Sequence, residues 1–406
     1  MATPEIRFQP FVEISGSYTT GLANVGVSEL GELANASSPG VVLTWGVSGF
    51  KSWRHDKVGV SYRGNLAHYT AKSSYDYIDQ SMMLSAVHQF SRRVTFDIRA
   101  IGGVSSRDYG LLNLPQTVSF DPFTMFLPTT EFFDNRTYYL NSGAGLTYQR
   151  TARLSFNASA DEILIRRRSK ALFGTTGYTA KGDAQYRINR RSTIGVNYAY
   201  LHYGYTGNAG STDGHAVMPS YAVQLTRWTE FSGYGGVMRV ESKFLHRTAV
   251  DPAIAALLGI SSTSQIVHRI NYLPYAGVRL SRTFQTGVLF AGAMRMVTPG
   301  NGVFLTSYST GISGGYNYTG MRRWSFGAVA NYSQSRVIGE LARGGNYNGL
   351  GAGMSVSRQI SPSVHFVSNF RVRSYGSPDY EKYNRTVYEG RVGIGFTPGD
   401  MPLRIW

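Results

Sequence analysis

Along most of this chain, hydrophobic and polar residues change places at every position. In 93–100 the set Val94, Phe96, Ile98 and Ala100 alternates with Arg93, Thr95, Asp97 and Arg99. In 178–188, Tyr178, Ala180, Gly182, Ala184, Tyr186 and Ile188 alternate with Thr179, Lys181, Asp183, Gln185 and Arg187. Near the end, Tyr388, Gly390, Val392, Ile394 and Phe396 stand against Arg385, Glu389, Arg391, Gly393 and Gly395. A period of two marks a strand with one apolar and one more polar face. The pattern predicts strands over 6–19, 40–53, 57–70, 77–90, 93–105, 136–149, 153–165, 175–188, 192–204, 215–228, 231–245, 267–281, 285–297, 304–318, 322–335, 346–358, 363–374 and 384–397. Each is near or above the ~9–11 residues that cross a bilayer at a tilt. Strands of soluble domains average only about 5–6.

The connections alternate in length. Short ones fall at 54–57, 91–93, 150–153, 189–192, 229–231, 282–285 and 319–323, and long ones at 20–39, 106–135, 205–214, 246–266, 336–345 and 375–383. Short turns on one side and long loops on the other are the plan of a transmembrane β-barrel, which closes its sheet so that no backbone edge meets lipid. The expected fold is therefore all-β: an up-and-down antiparallel barrel of about 18 strands, one domain over 1–406. Sixteen strands are the alternative, because 40–53 and 215–228 alternate poorly.

Composition supports a membrane barrel over a soluble β-fold. Only 16% of the 406 residues are charged, and Gly (47) and Tyr (28) are abundant. The apolar faces mix small and aromatic residues, as in Tyr308, Thr310, Ile312, Gly314, Tyr316 and Tyr318. A soluble core built this way would pack poorly, whereas a lipid-facing surface needs only apolar character with aromatics near the interfaces. Trp324, Tyr332, Tyr138, Tyr148, Tyr198 and Tyr200 suit such girdles. No run approaches the ~20 apolar residues of a membrane helix. Met1-Ala2-Thr3-Pro4 leads directly into a strand-like segment, so the sequence reads as a mature form. The absence of cysteine excludes a disulfide framework and thiolate metal sites.

The net charge of +16 gathers in two places. One is the short turns, with Arg92-Arg93, Arg150, Arg153, Arg190, Arg191, Arg282 and Arg322-Arg323, placed for headgroups or for simple solvation. This spread over many turns argues against nucleic-acid binding. The other is the polar face, the expected lumen. Its pore-lining candidates are Arg63, Arg99, Lys181, Arg187, Arg239, Lys243, Arg279, Arg295, Arg371 and Arg391, with Asp97, Asp183, Glu241 and Glu389. Asp161, Arg373 and Arg385 share that phase. Two readings stand: an Arg/Lys lining that prefers anions, or charges that pair across strands and stabilise a polar interior.

Loop 106–135 is rich in Phe and Leu and reads as an inward constriction, a subunit contact or a loop packed on itself. Asp251-Pro252 opens a short helical pattern through Leu258. His68, His88 and His202 fall on the apolar phase; His365 falls on the lumen phase, one strand from Glu389. No catalytic constellation, phosphate loop or metal-ligand spacing stands out. The expectation is no enzyme, no cofactor and no metal.

Val392-Gly393-Ile394-Gly395-Phe396, followed by Pro402-Leu403-Arg404-Ile405-Trp406, resembles the aromatic-terminated last strand of bacterial outer-membrane β-barrels. The strand series extends that resemblance to the whole chain and to the porin-like superfamily. A Pro-Gly-Asp-Met-Pro break separates the two aromatics, so Phe396 and Trp406 are both candidates for the signal read by the barrel assembly machinery. The resemblance implies an integral outer-membrane channel for passive diffusion of small polar solutes or ions. Its partners would be the bilayer, lipopolysaccharide or other outer-membrane lipid, the assembly machinery and, as one arrangement, further copies in a homo-oligomer. The alternative is a structural or assembly barrel with a blocked lumen.

Overall fold

The computed structural model describes residues 5–22, 36–71, 75–106, 136–170, 172–249, 262–302, 304–338, 345–378, 381, 384–399 and 401–404. Nineteen strands form one antiparallel sheet in sequence order. They are β1 (Glu5–Leu22), β2 (Ala36–Ser52), β3 (Asp56–Tyr69), β4 (Tyr77–Gln89), β5 (Val94–Ser105), β6 (Thr137–Gln149), β7 (Leu154–Arg167), β8 (Thr175–Arg187), β9 (Ser192–Tyr205) and β10 (Gly210–Thr226). The series continues with β11 (Thr229–Ala249), β12 (Ser262–Phe284), β13 (Gly287–Thr298), β14 (Ser307–Tyr318), β15 (Trp324–Val337), β16 (Asn346–Gln359), β17 (Val364–Gly376), β18 (Arg385–Phe396) and the short β19 (Met401–Arg404).

The sheet closes where β18 pairs with β1, Phe396 opposite Val12 and Glu389 opposite Thr19. β19 continues that seam, Met401 opposite Phe8 and Arg404 opposite Glu5. The register steps by one residue between the two pairings, from Val12 opposite Phe396 to Phe8 opposite Met401. The result is an eighteen-strand barrel whose closing strand is built from β18 and β19.

Register decides which way each side chain points. The rows Val12–Trp45, Ile14–Leu43 and Phe370–Gly390, and the exposed Ile312, Val392 and Ile394, place the apolar phase outside. Glu13, Arg63, Asp97, Arg99, Asn369 and Arg371 occupy the other phase, inside. Tyr138, Tyr148, Tyr198, Tyr200, Trp324 and Tyr332 all lie on the outer phase. A closed ring of backbone hydrogen bonds with an apolar exterior is what hydrocarbon demands. The chain is an integral β-barrel of the outer-membrane type.

Among the described residues, the interior of the outer end carries a large apolar cluster on β9–β13 and smaller ones on β1–β4 and β16–β17. Leu201, Tyr203, Tyr205, Met218, Met238, Val240, Phe244, Tyr275 and Met296 form a buried cluster on the inner faces of β9–β13. It packs against Leu305, which belongs to the connection between β13 and β14. Loop 106–135, the helical pattern from Asp251 to Leu258 and Trp406 lie outside the described residues.

Candidate functional site: the barrel interior

Two inner walls and one crossing segment make the interior. On the wall of β5–β8, charges meet across strands. Asp161 accepts from Arg99 Nη2 at 2.6 Å, and Lys181 Nζ lies 3.3 Å from its other oxygen. Both Asp161 and Lys181 are buried, with side chains 3% and 7% exposed. Asp183 accepts from Asn157 at 2.7 Å. Asp161 fits because Gly143 stands opposite it; a Cβ there would come within 2.2 Å of the carboxylate. On this wall the pairing reading of the charges is the one the geometry follows.

The wall formed by β16–β18 and β1–β4 is different. It carries Arg63, Arg371, Arg373, Arg385 and Arg391 inward, with Glu13, Asp79 and Glu389 as carboxylates. Arg391 donates to Glu389 at 2.5 Å and to the Tyr77 hydroxyl at 2.8 Å, so Tyr77 of β4 leans across the inner face of β1–β3. Arg385 lies over the Tyr375 ring, 5.4 Å from its centroid. Arg63 sits in the field of Arg371, Arg391 and Glu13. Its Nε is buried without a hydrogen-bond partner among the described residues.

The crossing segment is the β13–β14 connection, described at 299–302 and 304–306. Gly300 and Gly302 adopt φ of +74° and +86°, the left-handed region that a side chain disfavours. Those turns send the chain inward. Phe304 stacks on Tyr347 of β16 at 5.2 Å. Thr306 Oγ1 meets the Tyr205 hydroxyl and Thr212 Oγ1, each at 2.6 Å. The Gly302 carbonyl accepts from Phe173 N, between β7 and β8, at 2.9 Å. β7 and β16 are nine strands apart in the ring, so this strap crosses the outer mouth of the lumen. Pro299-Gly300-Asn301-Gly302 followed by Phe304-Leu305 was its sequence signal, turn residues and then apolar ones; alternation alone passes over it.

The fourteen lumen candidates divide. Arg63, Arg99, Lys181, Arg187, Arg279, Arg371, Arg391, Asp97, Asp183 and Glu389 lie on the inner phase. Arg239, Glu241, Lys243 and Arg295 do not, and the expectation for them is corrected. Arg239, Glu241 and Lys243 are in register with His215, Asp213 and Ser211 of β10 and with Tyr272, Ile270 and His268 of β12, all outward. Arg239 donates to Glu241 at 3.0 Å, and His268 Nε2 is 2.8 Å from the same carboxylate. The cause is strand length. β11 and β12, with 21 and 23 residues, outlast the bilayer. Beyond hydrocarbon the exterior is wet, while the interior there is the apolar cluster, so the polarity of the two faces inverts along one strand. On β13 the inner set, Phe290, Met294 and Met296, is itself apolar, and Met294 and Met296 pack with Leu305 of the strap. Arg295, opposite Ala276 and Thr310, points outward over Tyr308.

His365 and Glu389 are not neighbours despite lying on adjacent strands. His365 faces Gly395 and Glu389 faces Arg371, six positions away, roughly 20 Å along the strand. His68, His88 and His202 pair outward with Asp76, Asp56 and Asp213 at 2.6–2.8 Å. Among the described residues no cluster of His, Asp or Glu could hold a metal ion. Phe396 points outward between Val12 and Val364.

No family model matches the chain, and no curated protein matches it. Similar solved structures include Pseudomonas aeruginosa OccK5 (OpdH), 11% identical over 98% of both chains with a TM-score of 0.42. Another is Pseudomonas aeruginosa OccK2 (OpdF) in complex with glucuronate, 10% identical over 98% of both chains with a TM-score of 0.43. A third is Acinetobacter baumannii OccAB1, 10% identical over 97% of both chains with a TM-score of 0.42.

Proposed function

We propose that this barrel is a porin-like channel through which small polar solutes cross the outer membrane passively, with a preference for anions. The observation that carries the reading is the arginine-rich inner wall of β16–β18 and β1–β4. The largest apolar cluster and the strap's contacts through Thr306 lie on the side of β9–β13. The remaining passage runs along the wall of β16–β18 and β1–β4, where Arg63, Arg371, Arg373 and Arg391 outnumber their carboxylates. Barrels of about 16–18 strands enclose enough room for water, and an Arg-lined constriction lowers the energy of an anion relative to a cation.

The test is the reversal potential of the purified protein in a planar bilayer under a KCl gradient. Chloride preference is expected, and the double variant Arg63→Gln/Arg371→Gln should shift the potential toward cations by tens of millivolts. Cation preference in the unmodified protein would remove the anion reading. A blocked barrel serving as an envelope scaffold is the second reading, favoured by the strap across the mouth; it predicts no conductance steps at all.

A further inference from the structure

β12 outlasts the strand beside it. It pairs with β11 without a register break, from Arg282 opposite Thr229 to Ser262 opposite Ala249. With β13 it pairs only from Phe284 up to Ala276, which stands opposite Arg295. Above that point β13 soon ends and leads into the strap, while β12 runs on for fourteen residues (262–275) with no strand on that side among the described residues. Elsewhere in the described ring a strand outruns its neighbour by five residues at most, as β11 outruns β10 at 245–249. A strand edge left open in this way is a row of unmet backbone donors and acceptors.

Two hydrogen bonds fix the direction of that row. Thr283 N donates to Trp228 O on the β11 side at 2.8 Å, and the Pro274 carbonyl accepts from the Tyr308 hydroxyl of β14. Backbone groups of successive strand residues point to opposite edges, so odd positions of β12 serve β11 and even ones serve the open side. Ile266, His268, Ile270 and Tyr272 therefore present their N–H and C=O groups there. Pro274 closes the row, because it has no N–H and its carbonyl is taken. A strand rising ~3.3 Å per residue at a tilt of ~40° climbs about 2.5 Å per residue. Counted from Phe284, Pro274 lies about 25 Å and Ile266 about 45 Å above the inner rim. The apolar band of such barrels is about 25 Å tall, so the open row begins where hydrocarbon ends. Its outward side chains are nevertheless apolar: Ile266, Ile270 and Tyr272 are 71%, 45% and 70% exposed, and His268 between them is held by Glu241. On the other face Arg269 is exposed, and Asn271 Nδ2 is buried without a hydrogen-bond partner among the described residues.

We propose that the open edge of β12 takes up an extended peptide segment of another protein at the cell surface, as an added strand. A row of alternating backbone donors and acceptors is matched by another backbone. The side chains beside the row set the chemistry of the segment. Apolar residues lie outward against Ile266, Ile270 and Tyr272. Polar residues alternate with them on the other face, with a carboxylate toward Arg269 and an acceptor oxygen toward Asn271 Nδ2. Pro274 and Tyr308 mark where the added strand stops, at the edge of the hydrocarbon. A second copy in the same membrane does not fit. Rotation about the membrane normal leaves β12 descending in both copies, and two strands tilted by ~40° then cross at about 80° instead of forming a ladder. The inference is independent of conduction.

The test is fluorescence anisotropy of a labelled peptide of about nine residues, valine alternating with threonine and glutamate, titrated with the full-length protein in phosphatidylcholine nanodiscs. Two N-methylated forms of the peptide block the backbone amides along one edge or along the other. Saturable binding of the plain peptide is expected. One methylated form should bind within about threefold of it and the other at least about tenfold more weakly, because only one edge of the peptide meets β12. In the protein, Ile270→Pro removes an N–H from the open side and none from the β11 ladder, and should weaken binding at least about tenfold. Ile270→Ala keeps that N–H and should lose less than about fivefold. Arg269→Gln should erase the preference for the glutamate peptide over its glutamine counterpart. A heat-modifiable gel shift confirms that each variant is a closed barrel; if Ile270→Pro fails it, the two methylated peptides decide alone. Four results would each overturn the proposal: no saturable binding, as expected where another part of this chain covers the edge; equal affinity of the two methylated forms; unchanged binding by Ile270→Pro; or a disulfide-linked dimer of Tyr272→Cys that excludes the peptide.

Discussion

Replacing Asp161 with Asn removes the carboxylate that two cations share on the β5–β8 wall. Asp161 lies 2.6 Å from Arg99 Nη2 and 3.3 Å from Lys181 Nζ, in the space that Gly143 leaves opposite it. The consequences for the two cations differ. Arg99 is 45% exposed and can turn to water, whereas the Lys181 side chain is only 7% exposed and loses its carboxylate in place. Breaking a buried pair by deleting one partner costs about 3–5 kcal/mol; with Arg99 half-solvated, we expect about 3 kcal/mol for Asp161→Asn. The double variant Asp161→Asn/Lys181→Met removes the buried cation together with its carboxylate and should return to within about 1 kcal/mol of the unmodified barrel. Urea unfolding in lipid vesicles, followed by tryptophan fluorescence, supplies both differences, and with Lys181→Met alone it completes the cycle that gives the coupling energy. Asp161→Asn also adds one positive charge to the lumen wall, so its reversal potential should move toward anions. A loss below about 0.5 kcal/mol, the scale of an exposed surface pair, would refute the reasoning.

Other consequences follow from the strap and the seam. Thr306→Val takes a partner from the buried Tyr205 and Thr212 hydroxyls. That should cost about 1–3 kcal/mol and loosen the strap, seen as larger or noisier single-channel steps in a planar bilayer. Phe396→Ala removes the outward aromatic between Val12 and Val364 at the closing strand. If Phe396 is the aromatic that the assembly machinery reads, the folded fraction in membranes should fall severalfold by heat-modifiable gel shift, with Trp406→Ala as the comparison.

Much of this architecture was legible in the sequence, for a physical reason. Where a strand separates lipid from a wet interior, its two faces obey opposite rules, and the alternation writes both the strand and its orientation into the residues. β5, β8 and β18 are of this kind, and their predicted spans match the observed ones to within a residue or two. The reading fails where a strand no longer separates those two environments. Above the bilayer, β11 has a wet exterior and an apolar interior, so Arg239, Glu241 and Lys243 kept their period but exchanged faces. On β13 both faces are apolar, and the charge of Arg295 alone could not say which was inside. The strap is legible only as turn residues. Its partners Tyr205, Thr212 and Tyr347 lie far from it in sequence, and nothing local announces them. The continuation of the closing strand as β19 depends on pairing with β1 at the other end of the chain.

The alternation of faces is also the claim open to the most direct measurement, because the chain contains no cysteine and every introduced thiol reports alone. On β16, Gly353, Ser355 and Ser357 are in register with inward residues, and Ala352, Met354 and Val356 with outward ones. Single cysteines at these six positions, probed in proteoliposomes with a water-soluble maleimide, should label at 353, 355 and 357 and stay protected at 352, 354 and 356. Uniform labelling, or labelling in the opposite phase, would contradict a barrel that shows lipid one face of each strand and water the other.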